Sequence, residues 1–344
     1  MCELCAYVGV KEQAAPLLLE YGKRVEGLWS GYCTGIGVQA PDGTLKLHKT
    51  LGCSRYWEER YRTGDLPGSV GFFHSRTGYP GCPGDSRYAH PFLSSDGEVM
   101  VVSQGALGIF AERSSRIVGI GNELLKMGRG FSSADFRLET DRFLRLEDGS
   151  RVHMSNIVCE YAAALVAAGA APLEAVRKVG TDILEESVTL FLFRRHPGHL
   201  YAVNMNQRLG ILRHEDGVSL ATCALAFGND RVALMETPPN SVLDVSAGAL
   251  HVERLSKELH PYLQVPPGLR EAFLDWLAAN PGSMLAHLMD HALKVRYPAG
   301  ILRHVPTHEL FEELYFDGKV LLSSREYPGI RQQENSIRTV LRLA

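Results

Sequence analysis

The second residue of this 344-residue chain, Cys2, would carry two reactive groups once the initiating methionine is removed. One is its thiol and the other is its own freed α-amine. Their unperturbed pKa values, ~8.5 and ~8, let each exchange a proton with the other near neutrality, so no histidine is needed to activate the sulfur. The chemistry that suits this pair is acyl transfer from an amide: attack on a carbonyl, a covalent thioester, and release by water. Cys2 and Cys5 also make a CxxC. A tetrahedral zinc site would need a second pair, which nothing downstream supplies at ligand spacing, and CAYVGV reads as a strand where a redox pair would open a helix. Neither a metal nor a cofactor is expected.

The other tempting groups carry less. His74 ends a strand and His90 follows a loop, positions where a histidine is more often a structural residue than a catalytic one. Glu185-Glu186 and Glu312-Glu313 are adjacent in sequence, so the members of each pair point apart on a helix or a strand and cannot share an acid–base site.

Apolar residues make up 45% of the chain and charged ones 22%, the balance of an ordinary globular protein. A formal net charge of −3 leaves no basic excess for nucleic acid. No run is long and apolar enough to span a membrane, and the start has neither a basic leader nor a long apolar core. Seven scattered cysteines, an odd number, suit reduced thiols in a cytoplasm better than a disulfide framework.

The elements that must position Cys2 follow from periodicity. Residues 2–10 read as a buried strand, AAPLLLEYGKRVEGL as a helix, and GYCTGIGVQAPDGTLKLHKTLG as a hairpin around PDG. YWEERYRTGD reads as a solvated helix, GSVGFFHS as a strand, and Gly/Pro-rich residues 76–91 as a long irregular loop. EVMVVSQG is an almost continuous apolar strand ending at Gly105, and residues 121–129 have helical character. RFLRLEDGSRVHM reads as a hairpin, and two helices follow, split at Gly169 and Pro172. Six strands, SVTLFLFRR, HLYAVNM, LGILRH, GVSLATCALAF, SVLDVSAG and LHVERL, complete a domain over residues 2–255. Blocks of strands and blocks of helices without strict alternation indicate an α+β fold. Residues 256–344 predict two amphipathic helices, a third helix and a hairpin, a C-terminal appendage suited to packing or partner docking.

Several motifs in order give the chain a resemblance. Cys2-Glu3-Leu4 leads into CAYVG, and LLLEYGKRVEGLWSGYCTGIGV follows. His74-Ser75-Arg76 ends a strand, Ala89-His90-Pro91-Phe92 follows the loop, and the next strand ends Val101-Val102-Ser103-Gln104-Gly105. Later, SVTLFLF and LYAVNM follow a helix pair. In this series the chain resembles the class II glutamine amidotransferases of the N-terminal nucleophile hydrolase superfamily, from Cys2 to about Phe227. The version with AHPF looks closest to the glutaminase modules of glutamate synthases.

The resemblance implies a four-layer αββα sandwich and the release of ammonia from the glutamine side chain through a Cys2 thioester, for use by a partner synthase. It implies that Arg76 binds the substrate carboxylate, with Thr77 as a further donor, and that Gly105 offers its backbone N–H to the oxyanion. Gln104 stands where the family has an asparagine as second oxyanion donor. Asp141, in Leu138-Glu139-Thr140-Asp141, is matched to the family's ammonium-binding aspartate, and Asp135 is another candidate. Glu3, Ser30, Cys33 and Gly78-Tyr79-Pro80 depart from the family pattern. Those departures leave two further readings, a binding or regulatory homologue of the same fold and an N-terminal nucleophile acylase for another amide.

Overall fold

The structure, a computed structural model, describes residues 2–10, 13–78, 82–105, 114–139, 143–183, 186–228, 234–255, 265–289 and 304–344. It begins as the sequence predicts. Strand β1 (Glu3–Gly9) enters helix α1 (Ala14–Val25), and the hairpin β2 (Cys33–Gln39) and β3 (Leu45–Leu51) turns at Gly43, whose φ of 85° favours glycine. Helix α2 (Ser54–Arg60) precedes β4 (Val70–Arg76), and β5 (Phe92–Leu93) pairs with β6 (Val99–Gly105). Helix α3 covers Ser114–Lys126, beginning earlier than its apolar spacing suggests. A short hairpin of β7 (Leu144–Arg145) and β8 (Arg151–Val152) leads to α4 (Met154–Ala167) and α5 (Pro172–Asp182).

The strands β9 (Ser187–Phe193), β10 (His199–Asn204), β11 (Gly210–His214), β12 (Gly217–Ala221), β13 (Leu234–Glu236), β14 (Ser241–Ser246) and β15 (Leu250–Arg254) complete two sheets. One runs β13-β11-β12-β1-β4-β2-β3 and the other β15-β14-β10-β9-β6-β5. The run GVSLATCALAF was expected to stay extended. It leaves the sheet after Ala221 and closes into a 3-10 turn over Ala224–Phe227, carrying Cys223 off the strand end.

Period-2 alternation sorts the side chains into layers. Leu4, Ala6 and Val8 of β1, Phe72 of β4, Met100 and Val102 of β6, and Val188, Leu190 and Leu192 of β9 meet between the two sheets. The opposite face of the first sheet, with Cys5, Tyr7, Ile36, Val38 and Phe73, packs on Leu18, Leu19, Tyr21 and Val25 of α1. The opposite face of the second sheet packs on the apolar faces of α3, α4 and α5. The result is helix, sheet, sheet, helix, the αββα order expected.

The C-terminal elements join the first helical layer. Helix α6 (Leu269–Ala279) contributes Leu269, Phe273 and Leu277, and α7 (His304–Phe316) contributes Leu310, Phe311 and Leu314, to the same buried cluster as α1. The final strands β16 (Ser283–Met284), β17 (Val320–Tyr327) and β18 (Ser336–Leu343) form a small separate sheet. From it, the backbone N–H of Thr339 donates to Gly27 O at 2.9 Å and that of Ile337 to Gly31 O at 3.2 Å. A Cβ on Gly31 would lie 2.4 Å from the Ile337 carbonyl oxygen, so glycine is required for this approach.

Candidate functional site

Cys2 immediately precedes β1, and its position in the alternation matches Leu4, Ala6 and Val8, which face the space between the sheets. On the neighbouring strand, Leu4 pairs with His74 and Glu3 with Ser75, so His74 and Arg76 end β4 on the same face. On β6 the same parity carries Met100 and Val102 inward and brings Gln104 to that face at the strand's end. One end of the inter-sheet layer is therefore bordered by Cys2, His74, Arg76 and Gln104. Gly105, the last residue of β6, pairs with Ser187 of β9.

Of the seven cysteines, Cys2 alone is partly accessible and the other six are buried. Cys5 is three residues on and faces the helical layer, where burial pushes its thiol well above the ordinary range. The CxxC is thus split across the two faces of a strand. Burial also acts to raise the Cys2 thiol, but the neighbouring His74 ring, assisted by a backbone N–H at Thr77, outweighs it and brings the pKa down to about 6. The Thr77 hydroxyl approaches Cys2 Sγ at 3.9 Å and also donates to the Trp29 carbonyl.

His74 was expected to be structural, yet it is the side chain with the strongest lowering effect on the thiol. Its Nε2 lies 3.1 Å from the Ser103 carbonyl oxygen, and its Nδ1 has no hydrogen-bond partner. His90 stacks beside it, ring centroids 4.0 Å apart, and His153 stands 5.2 Å from His90. Both ring nitrogens of His90 are buried without partners. Burial, reinforced by neighbouring positive groups, lowers the pKa of His90 and His153 well below the usual histidine range and keeps both rings neutral.

Arg76 is 4% exposed. One of its guanidinium nitrogens donates to the Tyr88 carbonyl at 2.7 Å, and the group lies over the Phe143 ring. The loop it grips is fastened from below by Lys49, whose Nζ donates to the carbonyls of Ala89 at 2.9 Å and Pro91 at 3.3 Å. Burial lowers Lys49 to about 8. Among the sequence candidates, Gln104 is 4% exposed with its Oε1 unpartnered. Asp135 is held by Arg87, by the Tyr88 hydroxyl and by the Arg137 N–H, and is not brought to Cys2. Asp141 lies outside the described residues.

Lys49 and Glu26 are supporting residues with no motif to announce them. Glu26, just past α1, is buried and accepts from the Thr34 hydroxyl at 3.0 Å and from the Ser54 N–H at 2.9 Å and hydroxyl at 2.7 Å. It ties the Gly27–Gly31 turn, which holds Trp29 beside Thr77, to β2 and α2. An acidic residue ending an amphipathic helix gives no sequence hint of this burial. The adjacent carboxylates Glu312 and Glu313 do point apart, Glu312 buried against Arg208 and Glu313 exposed beside Arg270.

Against known proteins, no family model matches the chain. The glutamine–fructose-6-phosphate aminotransferase [isomerizing] of Leifsonia xyli is 35% identical over 113 residues, 32% of this chain and 18% of that protein. The same enzyme of Methanothermobacter thermautotrophicus is 31% identical over 112 residues, 33% of this chain and 18% of that protein. The chain thus spans about a fifth of the length of the curated relatives it matches. Among solved structures, glutamine phosphoribosylpyrophosphate amidotransferase from B. subtilis superposes with a TM-score of 0.59 at 13% identity, covering 94% of this chain and 66% of that one. A second, described as the allosteric regulatory enzyme of purine biosynthesis, gives 0.60 at 13% identity, covering 90% and 63%. Over about a third of its length the chain is thus similar in sequence to these aminotransferases, and it shares the fold of the two amidotransferase structures.

Proposed function

We propose that this chain hydrolyses the side-chain amide of glutamine, with Cys2 as nucleophile, and that the ammonia passes to a partner synthase. The observation that carries this reading is the state of Cys2: the one cysteine of seven that is not fully buried, at the end of the layer between the sheets, with its pKa drawn down to about 6. A thiol so poised attacks a carbonyl at neutral pH.

In the proposed reaction, Cys2 Sγ adds to the amide carbon of glutamine and the carbonyl oxygen becomes an oxyanion. The Gly105 backbone N–H and the Gln104 side-chain amide stabilise it. The α-amine of Cys2, freed by removal of Met1, takes the thiol proton and gives it to the departing nitrogen, so ammonia leaves and a glutamyl thioester remains. Water then cleaves the thioester to glutamate and restores the thiol. Arg76 pairs with the substrate carboxylate, Thr77 supports it, and Asp141 receives the substrate ammonium group. Free thiols at all seven cysteines support a reducing, cytoplasmic setting.

The test is ammonia release from glutamine by protein whose Met1 has been removed, together with labelling by a glutamine-mimicking electrophile. The expected result is turnover, loss of turnover in Cys2→Ala, and a single adduct on the Cys2 peptide. Native protein that retains Met1, or an electrophile that labels no Cys2, would overturn the proposal.

A further inference from the structure

On the face of β1 opposite the nucleophile, buried groups from three distant parts of the chain converge. Cys223 stands at the turn after β12, and His308 and Glu312 lie one helical turn apart on one side of α7. One donor atom from each comes within 4.8 Å of the others, and the three residues are 1%, 3% and 4% exposed. Glu3, fully buried, faces the same layer. Its Oε2 accepts from the Thr222 hydroxyl at 3.0 Å, beside Cys223, while its Oε1 has no partner. His308 Nε2 likewise has no hydrogen bond, approaching Glu312 Oε1 only to 3.5 Å.

Two buried lone-pair donors left without partners are costly in a finished core: His308 Nε2 belongs to the cluster of sulfur, nitrogen and oxygen ligands, and Glu3 Oε1 stands on the same side of β1. We propose that Cys223, His308, Glu312 and Glu3 form a zinc-type divalent metal site that pins the C-terminal helix to the strand carrying the nucleophile.

The donor set is one that zinc accepts, and four protein ligands close the coordination shell, as in a structural site. A thiolate and two carboxylates around the site attract a cation, and Arg208, shared between Glu312 at 2.9 Å and Glu236 at 2.8 Å, offsets only part of their charge. Tetrahedral zinc holds such ligand atoms roughly 3.3–3.7 Å apart, so the Cys223, His308 and Glu312 donors need to draw together by little more than about 1 Å.

The experiment is cobalt titration of the chelator-treated full chain, with Co²⁺ standing in for zinc. It is run on the parent and on Cys2→Ser, which removes the accessible thiol as a competing ligand. The expected result is one equivalent bound in both, with a thiolate-to-cobalt charge-transfer band that Cys223→Ser abolishes and zinc displaces. His308→Gln, checked for folding by circular dichroism, weakens binding by at least ~10-fold. Absence of stoichiometric binding overturns the proposal, as does a band that survives both Cys223→Ser and His308→Gln.

Discussion

His74 Nε2 lies 3.1 Å from the carbonyl oxygen of Ser103, a contact that joins the strand beside the nucleophile to the strand whose next residue is Gln104. A carbonyl oxygen only accepts, so Nε2 must carry the hydrogen in this contact. Nδ1 is left without a hydrogen-bond partner. One hydrogen bond thus fixes the hydrogen on Nε2 of His74 and links the two sheets at the site.

Alkylation of Cys2 by iodoacetamide should therefore follow a thiolate titration with its midpoint at about 6. His74→Gln should move that midpoint upward, because burial then acts with less opposition. The check is a pH–rate profile read by mass spectrometry on the Cys2 peptide; the other thiols are buried. An unchanged midpoint in the variant would sink the assignment.

Gln104→Ala should lower kcat for glutamine hydrolysis by ~10²–10³-fold while leaving KM nearly unchanged, the signature of a donor used in the transition state. Gln104→Asn, which keeps the amide, should stay active. Steady-state ammonia release decides it, and a change confined to KM would count against an oxyanion role.

Glu3 makes stability depend on pH in the metal-free protein. Burial, together with the Glu312 carboxylate and against the partial relief of the Thr222 hydroxyl, raises its pKa well above 4.5. The folded state then keeps a proton that the unfolded chain releases, so this group's contribution to stability falls as pH rises from 4.5 through the folded value. The slope is at most about 1.4 kcal/mol per pH unit for one proton. Urea unfolding across that range should show Glu3→Gln with a flatter profile than the parent, and parallel profiles would refute the claim.

Gly35→Ala should destabilise the loop around His90. A Cβ there would stand 2.0 Å from the His90 carbonyl oxygen, which is backbone and cannot rotate away. Overpacking of this kind costs about 1–3 kcal/mol. Thermal unfolding should show the loss, and hydrogen exchange should show it concentrated near residues 88–92.

The sequence-readable part of the fold was the part written in local period. β1, α1, the β2–β3 hairpin, β4 and β6 follow from alternation, helical spacing and a PDG turn, and these are the elements that border Cys2. Cys2 itself stood out because position 2 has its own chemistry. His74 did not, since nothing in a strand-end histidine tells whether its ring meets a carbonyl or a thiol; that depends on the packing of the second sheet. Cys223, His308, Glu312 and Glu3 are separated by long stretches of chain, and only the folding of α7 against the first sheet brings them together. The turn at Cys223 was obscured because ATCALAF is as apolar as the strand it ends.

The shared core of α1, α6 and α7 bears on how this protein can be dissected or grafted. Here a cut after residue 255 would remove Phe273, Leu310, Phe311 and Leu314 from the buried cluster that also holds Leu18, Leu19 and Trp29. Such a fragment would be a sticky half-protein prone to self-association. Transplanting residues 2–255 onto another protein would require carrying the C-terminal tail with them.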